Sequence, residues 1–164
     1  MAKVKTSDAT QVYRVWIKAA PEAIWKAITD PEWTTKYGYA APAEYELKAG
    51  GKYKAYASEE MKKFGGPDVV VDGEVVECDP PRRLVQTWRA LWDPAMAAEG
   101  AKRLTWEIAP GPGGVSSLTL THELEGAPKT AEQVSGEIPQ AGGGWCYVLS
   151  DLKTLLETGK AMAA

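Results

Sequence analysis

The stretch GWCYVLSDLKTLLE, residues 144–157, decides the fold. Its large apolar residues recur at helical spacing and share one side of a helix: Trp145, Leu149, Leu152 and Leu156. Asp151 and Lys153 are expected on the solvent-facing side, and Gly159 is a natural helix stop. The sequence therefore predicts one long amphipathic helix at the end of the chain, which has to cover an apolar surface.

That surface is predicted to come from segments in which apolar and polar residues alternate. They are residues 11–18, 43–48, 52–58, 69–78, 82–92, 101–109 and 115–124. Short turns rich in Gly and Pro connect most of them, which favours an antiparallel sheet with one apolar and one wet face. Such a sheet needs a cover, and the final helix is the only predicted element long enough to provide it.

Two short helices are predicted between the first and second strands. Pro21 begins the first, which runs to Thr29, because its missing N–H costs nothing in the first helical turn. Asp30 is expected to cap the second, which extends to about Tyr37. A loop over residues 61–67 and an irregular stretch over residues 125–144 complete the predicted order.

The composition favours a single domain over residues 1–164, with its core at about 11–160. Net charge is −3, and seven Trp and seven Tyr supply bulky apolar groups beside a single Phe. No run approaches about 18 apolar residues, and no signal-peptide pattern opens the chain, so no membrane span is expected. Two distant cysteines favour a reduced, cytoplasmic protein, and short basic runs give no support to nucleic-acid binding.

Most catalytic patterns are missing from the sequence. His122 is the only histidine, which excludes a multi-histidine metal site, and there is no nucleophile elbow of the form G-x-S-x-G. The glycine clusters match neither a phosphate-binding loop nor a dinucleotide-binding pattern. We therefore assign no catalytic residue, no metal ligand and no cofactor, and expect binding rather than catalysis, while an enzymatic role stays open.

Two polar residues fall on the predicted apolar face of the sheet. His122 shares that face with Leu118 and Leu120, and Gln86 shares it with Trp88. Each is interpreted either as a hydrogen-bonded core residue or as a polar anchor for a bound molecule, and His122 also as a general acid. The large rings on inward faces are core residues or the walls of a cavity: Trp25, Trp88, Trp106 and Trp145.

Four local strings, in this order, resemble a known family. They are IKAAPEAIW with ITDPE at residues 17–32, GGKY at 50–53, GEVVECDPPRRLVQTW at 73–88, and the closing helix. The chain resembles the family related to the activator of the heat-shock-protein-90 ATPase, within the START-like (SRPBCC) helix-grip superfamily. The resemblance implies an α+β fold in which a curved seven-stranded antiparallel sheet wraps around a long C-terminal helix. It places loops 61–67 and 93–102 at the mouth of a cavity.

Together with the inward-facing rings and the missing catalytic patterns, the resemblance favours binding of a small hydrophobic or aromatic molecule in this internal cavity, without catalysis. A co-chaperone-like protein-interaction domain and a polyketide cyclase or dehydratase-like enzyme are the alternatives. A homodimer or a protein partner is left open. The residues expected to line the cavity are Trp33, Tyr37, Tyr45, Tyr53, Gln86, Trp88, Trp106, Leu120, His122, Trp145 and Leu149.

Overall fold

The protein is described by a computed structural model over residues 10–138 and 142–163. In those ranges the elements follow in the order β1 (Thr10–Ile17), α1 (Pro21–Thr29), α2 (Pro31–Thr34), β2 (Ala43–Tyr45), β3 (Lys52–Tyr56), α3 (Glu59–Lys63), β4 (Val69–Asp79), β5 (Arg83–Ala90), α4 (Pro94–Ala97), β6 (Lys102–Pro110), β7 (Ser116–Glu123), α5 (Pro128–Ser135) and α6 (Gly144–Thr158). None of the described helices is long and apolar enough to cross a membrane.

The strands form one antiparallel sheet, as the sequence predicts. Its order is β1-β7-β6-β5-β4-β3-β2, with each neighbouring pair antiparallel. The register shifts within β3 and β4 interrupt the ladder and increase the local twist and bend. On the outer face, Arg83 of β5 bridges Glu77 of β4 and Glu107 of β6. The predicted helix-grip fold is confirmed.

The short helices after β1 begin where their sequence signals place them. Pro21 occupies the first turn of α1. Asp30 accepts a hydrogen bond from the backbone N–H of Glu32 at 2.9 Å and so caps α2, which ends earlier than expected, at Thr34. Two helices between the first two strands are therefore confirmed.

The apolar side of α6 lies on the inner face of the sheet. Trp145, Leu149 and Leu152 are buried as predicted. Leu155 is buried as well, whereas Leu156 is only partly buried at the flank. Because α6 is the only long helix among the described residues, its buried stripe provides much of the cover that the sheet requires.

Asp151 does not face solvent, and the expectation that it does is wrong. Its side chain is 2% exposed. One carboxylate oxygen accepts from the N–H of Gly38 at 2.8 Å, and the other accepts from the N–H of Met162 at 2.7 Å. An acidic residue in a helical pattern looks solvent-facing, but here it satisfies two backbone donors from distant segments. Asp151 therefore ties α6 to the loop after α2 and to the chain end.

Three short helices occupy regions predicted as loops: α3, α4 and α5. The first turn of α5 is fastened by Glu99, whose carboxylate accepts from the N–H groups of Lys129 and Thr130 and from the Thr130 hydroxyl. Burial acts to raise the pKa of Glu99, but these hydrogen bonds outweigh it and lower the pKa. Helices of four to eight residues are too short to show a clear apolar period, so the pattern did not reveal them.

Replacing Leu152 tests the cover provided by α6. Leu152→Asp puts an unpaired carboxylate among fully buried apolar groups, so we expect loss of the native fold, at a cost of roughly several kcal/mol. Ser150→Asp adds the same charge at an exposed position of α6 and is expected to stay within about 0.5 kcal/mol of the native protein. Circular dichroism during urea denaturation measures both. Native-like stability of Leu152→Asp would contradict this placement of the helix.

Candidate functional site

A cavity of about 490 Å³ lies between the inner face of the sheet and α6. The sheet contributes large rings from its central and distal strands, and α6 contributes Trp145 and Val148. The loop after α2, the segment around α3 and the helices α1, α2 and α5 complete the wall. The volume falls within the range of cavities that hold small organic molecules.

The structure brings some of the predicted lining residues together and leaves others off the wall. Those on the wall are Tyr37, Tyr45, Tyr53, Trp88, Trp106 and Trp145. Those away from it are Trp33, Gln86, Leu120, His122 and Leu149. Leu120 and Leu149 are buried in the apolar core, and Trp33 is a half-buried ring of α2 beneath the Lys36 ammonium. A side chain that faces the core therefore does not always line the cavity.

The tryptophans of the wall form one packed cluster around Trp145. The ring of Trp145 lies 5.7 Å from that of Trp88 and 5.8 Å from that of Trp106, between ring centroids. Both contacts are tilted or edge-to-face, which aromatic pairs prefer. One end of the cavity is thus a rigid aromatic surface.

His122 lies behind this cluster and fixes it. The indole N–H of Trp145 donates to Nδ1 of His122 at 3.0 Å. Because an indole nitrogen can only donate, Nδ1 carries the lone pair and the neutral ring carries its proton on Nε2. Nε2 is buried and has no hydrogen-bond partner among the described residues. Burial lowers the pKa of His122 from 6.5 to about 3, so the ring is neutral at ordinary pH.

Gln86 is also fully buried and acts one layer behind the wall. Its Oε1 accepts from the Tyr45 hydroxyl at 2.6 Å and from the Trp106 indole N–H at 3.0 Å. Gln86 and His122 therefore hold wall residues in place from behind. Of the interpretations left open for Gln86 and His122, the hydrogen-bonded core residue matches these contacts.

The opening of the cavity is marked by aromatic residues that both line it and face solvent. Phe64 is 83% exposed, and Tyr39 and Trp92 are each 42% exposed. None of the three was among the predicted lining residues. Phe64 lies in the loop that the family resemblance placed at the mouth. An aromatic residue in that loop was the signal in the sequence that could have identified Phe64 as a lining residue.

Tyr39 connects this opening to the start of α6. Its hydroxyl accepts from the backbone N–H groups of Gly143 and Gly144 at 3.0 and 3.1 Å, and its ring stacks on Tyr147. These N–H groups have no carbonyl partner within the helix, so the tyrosine oxygen takes the place of an N-cap. The loop after α2 is thereby held to the helix at the cavity mouth.

The family model described as Activator of Hsp90 ATPase homolog 1-like protein matches residues 18–157. The chain belongs to this family. No curated protein matches it.

Several solved structures share the fold of this family member at low identity. A protein from Mesorhizobium loti has 20% identity and a TM-score of 0.67, over 90% of this chain and 96% of that one. An HSP90 activator from Plasmodium falciparum has 22% identity and a TM-score of 0.55, over 94% and 91%. The Aha1 dimer of Colwellia psychrerythraea has 17% identity and a TM-score of 0.62, over 93% and 98%. Identities this low support the fold alone.

The buried histidine predicts a pH dependence of stability. The unfolded chain takes up a proton at His122 below its ordinary pKa of 6.5, whereas the folded protein does so only near its pKa of about 3. The contribution to stability is complete above pH 6.5 and is lost as the pH falls toward 3. At about 1.4 kcal/mol per pH unit, the loss between pH 6.5 and about pH 4 is roughly 3 kcal/mol.

His122→Asn separates this effect from the titration of carboxylates. Asn keeps an acceptor for the Trp145 N–H but has no proton to gain. Urea denaturation near pH 7 and near pH 4 is expected to show that the variant loses roughly 3 kcal/mol less than the native protein on acidification. Equal losses in both proteins would contradict a neutral, buried His122.

Proposed function

We propose that this chain binds one small, uncharged and largely apolar molecule in the cavity between the sheet and α6, without catalysing a reaction on it. The observation that carries the proposal is the chemistry of the wall. Among the described residues that line the cavity, nine are aromatic and none has a charged side chain: Tyr37, Tyr39, Tyr45, Tyr53, Phe64, Trp88, Trp92, Trp106 and Trp145 are the aromatic ones.

An uncharged wall selects for an uncharged guest. Transfer of an ionised group from water into an apolar site without a partner is very costly, so a buried carboxylate or phosphate is disfavoured. Flat rings suit the guest best, because they pack against the faces and edges of tyrosine and tryptophan. The guest has to be smaller than the cavity, whose whole volume is about 490 Å³.

We propose that no reaction is catalysed because the described wall lacks acid–base groups that titrate near neutral pH. Burial raises the pKa values of Tyr37, Tyr45 and Tyr53 above that of an ordinary tyrosine, so all three stay protonated near neutral pH. A group that titrates far from the working pH is a weak general acid or base. The cyclase-like alternative needs an acid–base pair in the cavity. The ionisable groups on the described wall are protonated tyrosines, which do not form such a pair.

A cavity-filling substitution tests the proposal. Titration with the neutral fluorescent probe N-phenyl-1-naphthylamine is expected to give saturable binding of one probe per chain. Ala55→Phe adds a ring to the wall on β3 and is expected to weaken binding at least about tenfold, because it occupies the space of the guest. Lys54→Phe adds the same ring on the opposite, exposed face of β3 and serves as the control.

Two results would count against cavity binding. One is the absence of saturable binding by the native protein. The other is equal weakening by Ala55→Phe and Lys54→Phe, which would place the probe on the surface. Native mass spectrometry of freshly purified protein adds an independent measurement, since a retained small mass that Ala55→Phe lacks supports the same site.

Self-association is a second candidate, supported by the outer face of the sheet. Val12 and Trp16 of β1 are 60% and 58% exposed there, on either side of Arg14. Trp16 borders a groove of about 530 Å³ whose lining carries both acidic and basic side chains, among them Arg83 and Glu107. A large exposed ring beside charges of both signs suits a contact with the same surface of a second copy. We propose that a second copy of this chain packs against it; the co-chaperone-like role and the cytoplasmic location stay predictions.

Oligomeric state measures this second proposal. Trp16→Ser is expected to convert a dimer into a monomer in sedimentation-velocity runs, because it removes the largest exposed apolar group of the face. Val76→Ser, which removes another exposed apolar side chain from β4, is expected to leave the dimer intact. A native protein that is monomeric at concentrations of roughly 100 μM, where weak dimers with Kd near 1 μM are populated, would overturn it.

A further inference from the structure

The cavity is longer across the strands than along them. Its lining includes residues from five consecutive strands of the sheet, β2 to β6. Neighbouring strands lie about 4.8 Å apart, so the distance from β2 to β6 is up to roughly 19 Å along the curved sheet. The long dimension of the cavity is therefore perpendicular to the strands.

Along the strands the cavity is narrow. Among the described residues, no strand contributes more than two residues to the lining, such as Ala43 and Tyr45 on β2 or Tyr53 and Ala55 on β3. Successive side chains on one face of a strand lie two residues apart, which is about 7 Å. A cavity with these two dimensions is a slot that crosses the strands.

Short side chains form the floor of the slot near β2, β3 and β4. Ala43, Ala55 and Val71 are direct neighbours in the sheet register, and all three are buried and line the cavity. The rings of Tyr45 and Tyr53 stand beside this floor, one inward position further along β2 and β3, and stack with 4.6 Å between centroids. A guest over the short side chains can therefore lie close to the sheet and still contact the rings.

The other end of the slot is made of large rings. Trp88 of β5 and Trp106 of β6 line it there, and Trp145 of α6 packs against both from the helix side. The hydrogen bonds from Trp106 to Gln86 and from Trp145 to His122 hold two of these rings in place. This end therefore has a fixed shape, and a guest that contacts both ends has to extend from the tryptophans to β2.

We infer that the guest is an elongated molecule with its rings in line, and that its long axis crosses the strands from the tryptophan cluster to β2, passing over Ala55. A compact or bent molecule of the same size leaves one end of the slot empty and loses the dispersion contacts there. Ala55 lies on β3, between the two ends, so its small side chain lets a long guest pass. This inference rests on the proposed binding function and adds the shape of the ligand and a residue that determines specificity.

Two isomeric fluorescent probes test the shape of the guest. N-phenyl-2-naphthylamine holds its rings nearly in line, whereas N-phenyl-1-naphthylamine has the same atoms in a bent arrangement. Their dissociation constants are measured by fluorescence titration, and the ratio of the two constants cancels the hydrophobicity that the isomers share. In the native protein the in-line isomer is expected to bind at least about fivefold more tightly, because a misplaced ring loses part of its contacts.

Ala55→Val tests the path of the guest over β3. The larger side chain raises the floor midway along the slot, so the in-line isomer is expected to lose its advantage, while the bent isomer can stay at the tryptophan end. Ala57→Val is the matched control, because Ala57 follows β3 directly and is equally buried but does not line the cavity. In this control the ratio of the two dissociation constants is expected to keep its native value. Circular dichroism checks that both variants are folded.

The outcomes separate this inference from the function on which it rests. An advantage of the in-line isomer that Ala55→Val removes and Ala57→Val keeps supports it. Equal affinities in the native protein, or tighter binding of the bent isomer, overturn the elongated shape and leave cavity binding standing. An advantage that Ala55→Val does not reduce, or that both variants reduce equally, overturns the path over β3. Failure of both probes to bind the native protein saturably overturns the proposed function and this inference with it. The comparison in the native protein needs no variant, so it decides the shape even where a variant does not fold.

Discussion

The hydrogen bond between Trp145 and His122 is the interaction on which the rest of the arrangement depends. It joins the first turn of α6 to β7, the second strand from one edge of the sheet, and both side chains are buried. The donor is the indole N–H and the acceptor is a neutral imidazole, so the contact persists only while His122 stays uncharged. Trp88 and Trp106 then pack around the Trp145 ring, and the position of the helix over the sheet follows.

The cavity exists because one helix is narrower than the sheet it covers. A fifteen-residue helix fills the space over β1, β7 and β6, where Leu152 and Leu118 are fully buried. Toward β2 and β3 the sheet continues beyond the reach of α6, and the space is bounded by tyrosines and loops. The fold itself thus produces a core at one end and a cavity at the other, while the side chains decide what the cavity admits.

The fold could be predicted well because its main elements repeat apolar residues with a regular period. The period of Leu149 and Leu152 identified α6, and strict alternation identified the strands from β1 to β7. The helices α3 and α4 were missed because four or five residues are too few to show a helical period. The burial of Asp151 and the helix α5 were missed because both depend on hydrogen bonds between distant segments, such as those that the Glu99 carboxylate accepts from the start of α5. Periodicity carries no information about such contacts.

The candidate site could be predicted only in part from the sequence, for a related reason. Pattern tells which side of a strand faces inward, but Gln86 and Leu120 face inward beside the cavity and not into it. Whether an inward-facing residue lines the cavity depends on how much of the sheet α6 covers, and that is known only from the assembled fold. Family resemblance supplies the expectation of a cavity, but not the chemistry of its wall.

The hydroxyl of Tyr39 has a consequence for how a molecule could enter. That one oxygen joins the mouth loop to the first N–H groups of α6. Widening the mouth on this side therefore requires the first helical turn to lose its substitute cap at the same moment. For the proposed guest, entry on this side and fraying of the helix end would then be a single event, and its exchange would follow the kinetics of that event. Under the same proposal, affinity would be set by the wall and the exchange rate on this side by one tyrosine at the rim.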